Sequence, residues 1–156
     1  MRKIICILML LLFSVGITNA QSSQTQRVLN EIKSAFTEGC KEMNKQLPIE
    51  VDELTTFRNI IFCDWTFICN YNLHIDINEW TDQEKKLFKF NARKLLINNT
   101  RKILFANAEI SVIGAKKLLR MTGMKYRYNY YDDNGAFVFS IVVGYNELFG
   151  QNIRRR

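Results

Sequence analysis

The chain has 156 residues, and 22 basic against 15 acidic side chains give it a net charge of +7 at neutral pH. This length fits one domain behind a leader, and 47% hydrophobic residues are enough to fill one core. The sequence has no Gly/Ser/Pro-rich linker, no internal repeat and no second long apolar run, which excludes a repeat array and a membrane-spanning domain.

The first 20 residues have the pattern of a secretory signal peptide. A short basic start precedes an apolar run over residues 4–15, and small residues follow at Thr18 and Ala20. Cleavage after Ala20 leaves Gln21 as the mature start and lowers the net charge to +5 through the loss of Arg2 and Lys3. A retained N-terminal anchor is the alternative, although the run is shorter than the roughly 20 residues that span a bilayer. The sequence therefore predicts a periplasmic or secreted protein.

The first half of the mature chain predicts one helix and a pair of strands. Apolar residues recur at three- and four-residue steps from Ser23 to Gln46, which predicts an amphipathic helix that ends before Pro48. Apolar and polar residues then alternate over 55–75, which predicts two strands joined by a turn near Cys63–Asp64.

The second half begins with helices. Thr81–Glu84 has the sequence of a capping box and predicts a helix start. Asn98–Thr100 is a candidate interruption of that helix. A further helix is predicted from about residue 107 to 121, with Gly123 in the position of a C-cap glycine.

The C-terminal part predicts a hairpin. Tyr126, Tyr128 and Tyr130 alternate with polar residues, Asn134–Gly135 forms a turn, and a return strand follows over 137–143. The tyrosine row is predicted to pack against the helices, and stacking on bases or sugars is the alternative.

These elements predict an α+β domain over residues 21–150, followed by a basic tail over 151–156. The expected order is an N-terminal helix and then β-β-α-α-β-β. Both hairpins are expected in one antiparallel sheet of about four strands with the helices on one face.

The motif order resembles a recurring exported bacterial domain of unassigned activity. Its members have a helix ending in Met-Asn, an L-P-x-x-V-D-x-x-T segment, a strand pair, helices, then Y-x-Y and a D-x-x-G hairpin. The matching positions are Met43–Asn44, Leu47–Pro48, Val51–Asp52, Thr55, Leu118–Leu119, Gly123, Tyr126–Tyr128 and Asp132–Gly135. The resemblance implies this topology and export, and it implies no activity. The chain departs from the pattern at Cys69, where a tyrosine is expected, and near Ile110, where a cysteine is absent.

The predicted mature chain keeps three cysteines, Cys40, Cys63 and Cys69. Export brings them into an oxidising compartment, where one disulfide and three unpaired thiols are both compatible with the sequence. A turn near Cys63–Asp64 separates Cys63 from Cys69, whereas a turn centred on Thr66 would make them cross-strand neighbours.

No motif predicts catalytic, cofactor-binding or metal-binding residues. His74, the single histidine, alternates to the strand face opposite Cys63 and Cys69, which disfavours a Cys–His nucleophilic pair. One histidine and three dispersed cysteines are a poor ligand set for zinc. Phosphate loops, nucleophile elbows and zinc-protease helices do not occur.

Four polar or glycine positions are predicted to have structural roles. Asp52 is expected to accept backbone N–H groups where the chain enters the first strand, with assistance from Thr55. Asn134 and Gly135 are expected to form the last turn.

Positive charge is concentrated in one stretch. Twelve basic residues and one acid, Glu109, lie between Lys85 and Arg127. If both helical segments pack one stripe inward, their outer sides merge into a surface for anionic lipid, an anionic polymer or an acidic partner. Ordinary solvation of helix faces is the alternative. The predicted surface-binding residues are Lys85, Lys86, Lys89, Arg93, Lys94, Lys116, Lys117 and Arg120.

The functional prediction is an exported, non-catalytic binding or assembly module of the bacterial envelope, without a cofactor. One alternative is a small periplasmic enzyme whose site of Asp, Asn, Thr and Tyr residues has no short motif. Another is an inhibitor or immunity protein with a protruding loop. The expected partner is an envelope protein or an anionic surface, and nucleic acid is not expected because an exported protein seldom meets it.

Overall fold

The computed structural model describes residues 22–76, 79–105 and 112–150. The predicted signal peptide over 1–20 and the basic tail over 151–156 lie outside these ranges. The elements in chain order are α1 (Ser22–Asn44), β1 (Ile49–Asp52), β2 (Thr55–Cys63), β3 (Thr66–Leu73), α2 (Asp82–Phe105), α3 (Val112–Thr122), β4 (Lys125–Tyr131), β5 (Phe137–Val143) and α4 (Tyr145–Phe149). The α+β class and the N-terminal helix are confirmed.

The strands form one mixed sheet in the order β1-β2-β3-β4-β5. The prediction of about four strands, all antiparallel, needs correction in two respects. A fifth strand, β1, pairs with β2, and β3 runs parallel to β4. The parallel pair arises because the connection through α2 and α3 returns the chain to the end of the sheet where β3 begins.

One face of the sheet forms the core with the helices. Tyr128 and Tyr130 are buried there, as predicted, in the same cluster as Phe36 of α1 and Leu119 of α3. The other face carries a row of amides: Asn70 donates to Asn59 at 2.6 Å, and Asn129 donates to Asn70 at 3.0 Å. The period-two alternation in the sequence therefore separates an apolar face from a polar one.

The last residue of α1 is bonded to the middle of β2. The Asn44 side chain donates to the Ile60 carbonyl at 2.8 Å and accepts the Ile60 N–H at 2.9 Å. Pairing of β1 with β2 ends at Phe57, so the strand neighbour is absent beside Ile60 on that side. The Asn44 amide takes the place of this missing neighbour.

Helix α2 starts at the predicted capping box and continues without a break through Asn98–Thr100. The Thr81 N–H donates to Glu84 Oε2 at 2.7 Å, and the Glu84 N–H donates to Thr81 Oγ1 at 3.3 Å. Thr100 does not interrupt the helix because its buried hydroxyl bonds both the Leu96 carbonyl and the Tyr128 hydroxyl. No helix in the described ranges is long and apolar enough to cross a bilayer.

The sequence leaves two positions open for the first hairpin turn and two states open for the cysteines, and the structure has one of each. Asp64 and its neighbour have positive φ, so the first turn lies where it is predicted. Cys63 pairs with Thr66 in the sheet and Cys69 with Ile60, which keeps the two cysteines apart. Cys40, Cys63 and Cys69 are unpaired, and only Cys63 of these three is exposed.

Candidate functional site

A groove of about 490 Å³ lies between α2 and the hairpin of β1 and β2. Tyr71 and Tyr130 line it from the sheet, and Phe88 lines it from the helix. The phenyl ring of Phe88 contacts Tyr130 edge-on, with 6.3 Å between the ring centroids. Packed aromatic rings therefore form part of the groove wall.

Exposed aliphatic side chains surround the mouth of the groove. Val51 is 57% exposed, Leu54 is 49% exposed and Leu95 is 60% exposed, and all three line the groove. Apolar side chains that converge on a concave site while still in contact with water are typical of a binding surface.

Local sequence explains how the groove is built. The Leu54 N–H donates to Asp52 Oδ1 at 3.0 Å, which tightens the turn that presents Leu54. On α2, Asn91, Leu95 and Asn99 recur every four residues and therefore share one side of the helix. Asp52 and Thr55, predicted as structural residues, both line the groove.

The groove contains two tyrosine hydroxyls and one carboxylate. Burial raises the pKa of Tyr71 and of Tyr130 above the ordinary value, so both hydroxyls stay protonated and can donate hydrogen bonds. The Asp52 carboxylate adds a smaller rise to the pKa of Tyr130. Asp52 is the one charged residue among the described residues that line the groove. The site therefore offers an apolar surface with one negative charge.

A second constellation was not predicted from the sequence. His74 Nε2 lies 2.7 Å from Thr56 Oγ1, and His74 Nδ1 lies 2.9 Å from Asp133 Oδ1. This order of hydroxyl, imidazole and carboxylate is that of a nucleophilic triad. The imidazole and carboxylate side chains are 44% and 54% exposed, and none of the three residues lines the groove. We interpret the contacts as a link between the last turn of the sheet and the ends of β2 and β3.

The remaining structural positions lie at the last turn. The Ala136 N–H donates to Asp132 Oδ1 at 2.8 Å, and Gly135 has a φ of +79°. Asn134 and Gly135 are exposed at the tip of this turn. In the part of the chain that the structure describes, no three His, Cys, Asp or Glu side chains are grouped as metal ligands.

The predicted basic residues are not equivalent. Arg93 pairs with Glu147 at 3.1 Å, and the Lys89 and Lys116 ammonium groups lie over the rings of Phe139 and Phe149. These three basic side chains therefore have partners in β5 and α4. Among the other five residues of the predicted set, Lys85 is half-buried. The remaining four are exposed: Lys86, Lys94, Lys117 and Arg120.

Neither a protein-family model nor a curated protein matches this sequence. Among solved structures, a candidate secreted protein from Pseudomonas aeruginosa is similar, with 11% identity, a TM-score of 0.48, and coverage of 83% of this chain and 99% of that one. The type 2 secretion pilotin EpsS from Vibrio vulnificus has 13% identity and a TM-score of 0.47, covering 81% and 97%. The type II secretion pilotin AspS from Vibrio cholerae has 16% identity and a TM-score of 0.45, covering 80% and 96%. These similarities do not assign a function to the present chain.

Proposed function

We propose that this protein is an exported, non-catalytic binding module of a bacterial envelope that holds a short apolar segment of a partner polypeptide in the groove. The observation that carries the proposal is the ring of exposed aliphatic side chains at the groove mouth, Val51, Leu54 and Leu95. Export is supported by the signal-peptide pattern of the first 20 residues.

The groove also defines the chemistry of the segment that it accommodates. From Phe88 to Asn99 the α2 wall is about 16 Å long at 1.5 Å per residue, which matches about three helical turns of a ligand. Asp52 is the charged lining residue, so a basic side chain on the segment gains a partner there. The preferred ligand is therefore a short amphipathic segment with leucine-like side chains and a lysine or arginine.

Peptide binding tests the proposal directly. Labelled 14-residue peptides of leucine with lysine, and of leucine with glutamine, are titrated with the mature protein at physiological salt. Burying one leucine side chain is worth about 1.5–3 kcal/mol, so Leu54→Glu and Leu95→Glu should each weaken binding of the glutamine peptide at least tenfold. Asp52→Asn should remove the preference for the lysine peptide and leave binding of the glutamine peptide unchanged.

The matched control is Met121→Glu, because Met121 is 48% exposed on α3 and does not line the groove. This variant should bind both peptides like the wild type. Equal affinities for wild type, Leu54→Glu and Leu95→Glu would show that the groove is not the binding site.

Export has a separate test. Periplasmic or culture fractions from a bacterial host are probed for the C-terminally tagged chain, and the mass of its N-terminal peptide is measured. A mature chain that begins at Gln21 is expected. Retention of the intact N-terminus in the membrane fraction would instead establish the anchor.

A further inference from the structure

Two large apolar side chains of α2 project into water outside the groove. Leu87 is 61% exposed and Phe90 is 65% exposed, the latter the highest value among the exposed large apolar residues of the described ranges. Phe90 lies two residues after the groove residue Phe88, which places it on the opposite side of a helix with 3.6 residues per turn. Leu87 lies three residues before Phe90 and four before the groove residue Asn91, so it stands between Phe90 and the groove.

Positive charge surrounds these two side chains. Lys86 and Lys94 lie four residues before and after Phe90, so both flank it on the same side of the helix, and both are exposed. Between residues 85 and 102 the helix carries seven basic residues and no acid. Three of these basic side chains have intramolecular partners: Lys89 lies over the ring of Phe139, Arg93 pairs with Glu147, and Arg101 donates to the carbonyls of Glu147 and Leu148. Lys86, Leu87, Phe90 and Lys94 together form the Phe90 face.

We propose that the Phe90 face docks on an anionic lipid bilayer. Phe90 and Leu87 enter the boundary between head groups and acyl chains, while the Lys86 and Lys94 ammonium groups contact lipid phosphates. Flexible lysine stems allow the charges to stay at the head-group level while the helix lies in the membrane plane.

The apolar residues distinguish a bilayer from a soluble anionic polymer. A polymer of phosphates or carboxylates is attracted by Lys86 and Lys94 alone and gains nothing from Leu87 and Phe90. A bilayer uses both kinds of side chain, because insertion removes apolar surface from water while the charges remain paired. The interleaving of exposed apolar and basic residues therefore favours lipid as the occupant.

This inference goes beyond the proposed function. Phe90 lies on the side of α2 opposite the groove residue Phe88, so a segment held in the groove leaves Phe90 free to meet the membrane. A module docked in this way would hold its ligand next to the bilayer surface.

Vesicle co-sedimentation tests the inference. The mature protein is mixed with phosphatidylcholine vesicles that contain either phosphatidylglycerol or no anionic lipid, at low and high salt. We expect binding to the anionic vesicles and little binding to the neutral ones, and the fraction of protein bound to anionic vesicles should decrease as salt rises.

The variant Leu87→Ser/Phe90→Ser keeps all charges and should bind anionic vesicles at least tenfold more weakly. Because each lysine near an anionic surface contributes about fivefold, Lys86→Gln/Lys94→Gln should bind about 25-fold more weakly.

Matched controls separate the contribution of the Phe90 face from the effect of losing exposed apolar or basic side chains anywhere on the protein. Ile61→Ser/Val142→Ser removes two apolar side chains exposed on the opposite face of the sheet. Lys41→Gln/Lys45→Gln removes two exposed lysines, one in the last turn of α1 and one just after the helix. Both controls should bind like the wild type. Circular dichroism of every variant confirms that it is folded before sedimentation.

Three outcomes would overturn the inference: no binding to anionic vesicles, equal binding to neutral vesicles, or wild-type binding by Leu87→Ser/Phe90→Ser. In the last case, retained binding of soluble polyphosphate would identify a purely ionic surface. Failure here is distinguishable from failure of the proposed function. Leu54→Glu should keep vesicle binding and lose peptide binding, and the Phe90-face variants should show the reverse.

Discussion

Replacing Asn44 by alanine should destabilise the protein more than any exposed substitution on α1. The Asn44 amide bonds both backbone groups of Ile60, at 2.8 and 2.9 Å, where β1 no longer pairs with β2. Ile60 is only 8% exposed, so water cannot fully replace the lost partners. The substitution therefore removes two hydrogen bonds and leaves a donor and an acceptor poorly satisfied.

The magnitude follows from these contacts. Two hydrogen bonds contribute about 0.5–1.5 kcal/mol each, and incomplete satisfaction of the Ile60 groups adds about 1 kcal/mol or more. Alanine recovers about 0.5 kcal/mol as a better helix former than asparagine. The free energy of unfolding should fall by about 1.5–3.5 kcal/mol, a large fraction of the 5–15 kcal/mol that is usual for one domain.

Urea unfolding followed by circular dichroism measures this change. Asn30→Ala is the matched control, since Asn30 is an exposed α1 residue that only accepts a bond from Gln26. It should change the free energy of unfolding by less than about 0.5 kcal/mol. Equal stabilities for Asn44→Ala and Asn30→Ala would refute the idea that the amide replaces a missing strand neighbour.

Three further predictions concern the thiols, the imidazole and the last turn. Burial raises the pKa of the Cys40 thiol to about 11. Burial, with a smaller contribution from Cys40, raises the pKa of the Cys69 thiol to about 12. Both thiols therefore stay protonated at pH 8. In the native mature protein Cys63 alone should react rapidly with a disulfide reagent, and all three thiols should react in denaturant. His74→Gln should change the free energy of unfolding by less than about 1 kcal/mol because the contacts are exposed. The wild type should not hydrolyse nitrophenyl esters; hydrolysis lost in His74→Gln would favour the enzyme alternative. Gly135→Ala should lower the free energy of unfolding by about 1 kcal/mol, since φ is +79° there and no atom crowds a Cβ.

Local patterns in the sequence were sufficient to predict several elements. The Thr81–Glu84 capping box and the Asn134–Gly135 turn act over a few residues, so their geometry depends little on the rest of the chain. Strand β1 was missed because it is four residues long and its pattern Ile-Glu-Val-Asp is too short to establish a period. The parallel pairing of β3 with β4 was missed because it depends on where two helices return the chain.

The candidate site was harder to predict because its parts are distant in sequence. Leu54 and Leu95 are ordinary aliphatic residues in the sequence, and only their exposure beside the groove distinguishes them from core residues. The contacts of His74 with Thr56 and Asp133 likewise depend on the register of two hairpins. The Asp52 motif was the available signal, because a residue that shapes the turn also positions the groove wall.

Helix α2 connects these observations. A helix that only covers a sheet needs one apolar stripe, and polar side chains on its other sides keep the protein soluble. Ala92 and Leu96 pack against the core here, yet Leu95 is exposed at the groove, Phe90 is exposed on the far side and Leu87 is exposed between them. None of these three exposed side chains is needed to fill the core, and each increases the risk of aggregation. Apolar residues on three sides of one helix are explained when one side holds the sheet, one binds a polypeptide segment and one meets a membrane.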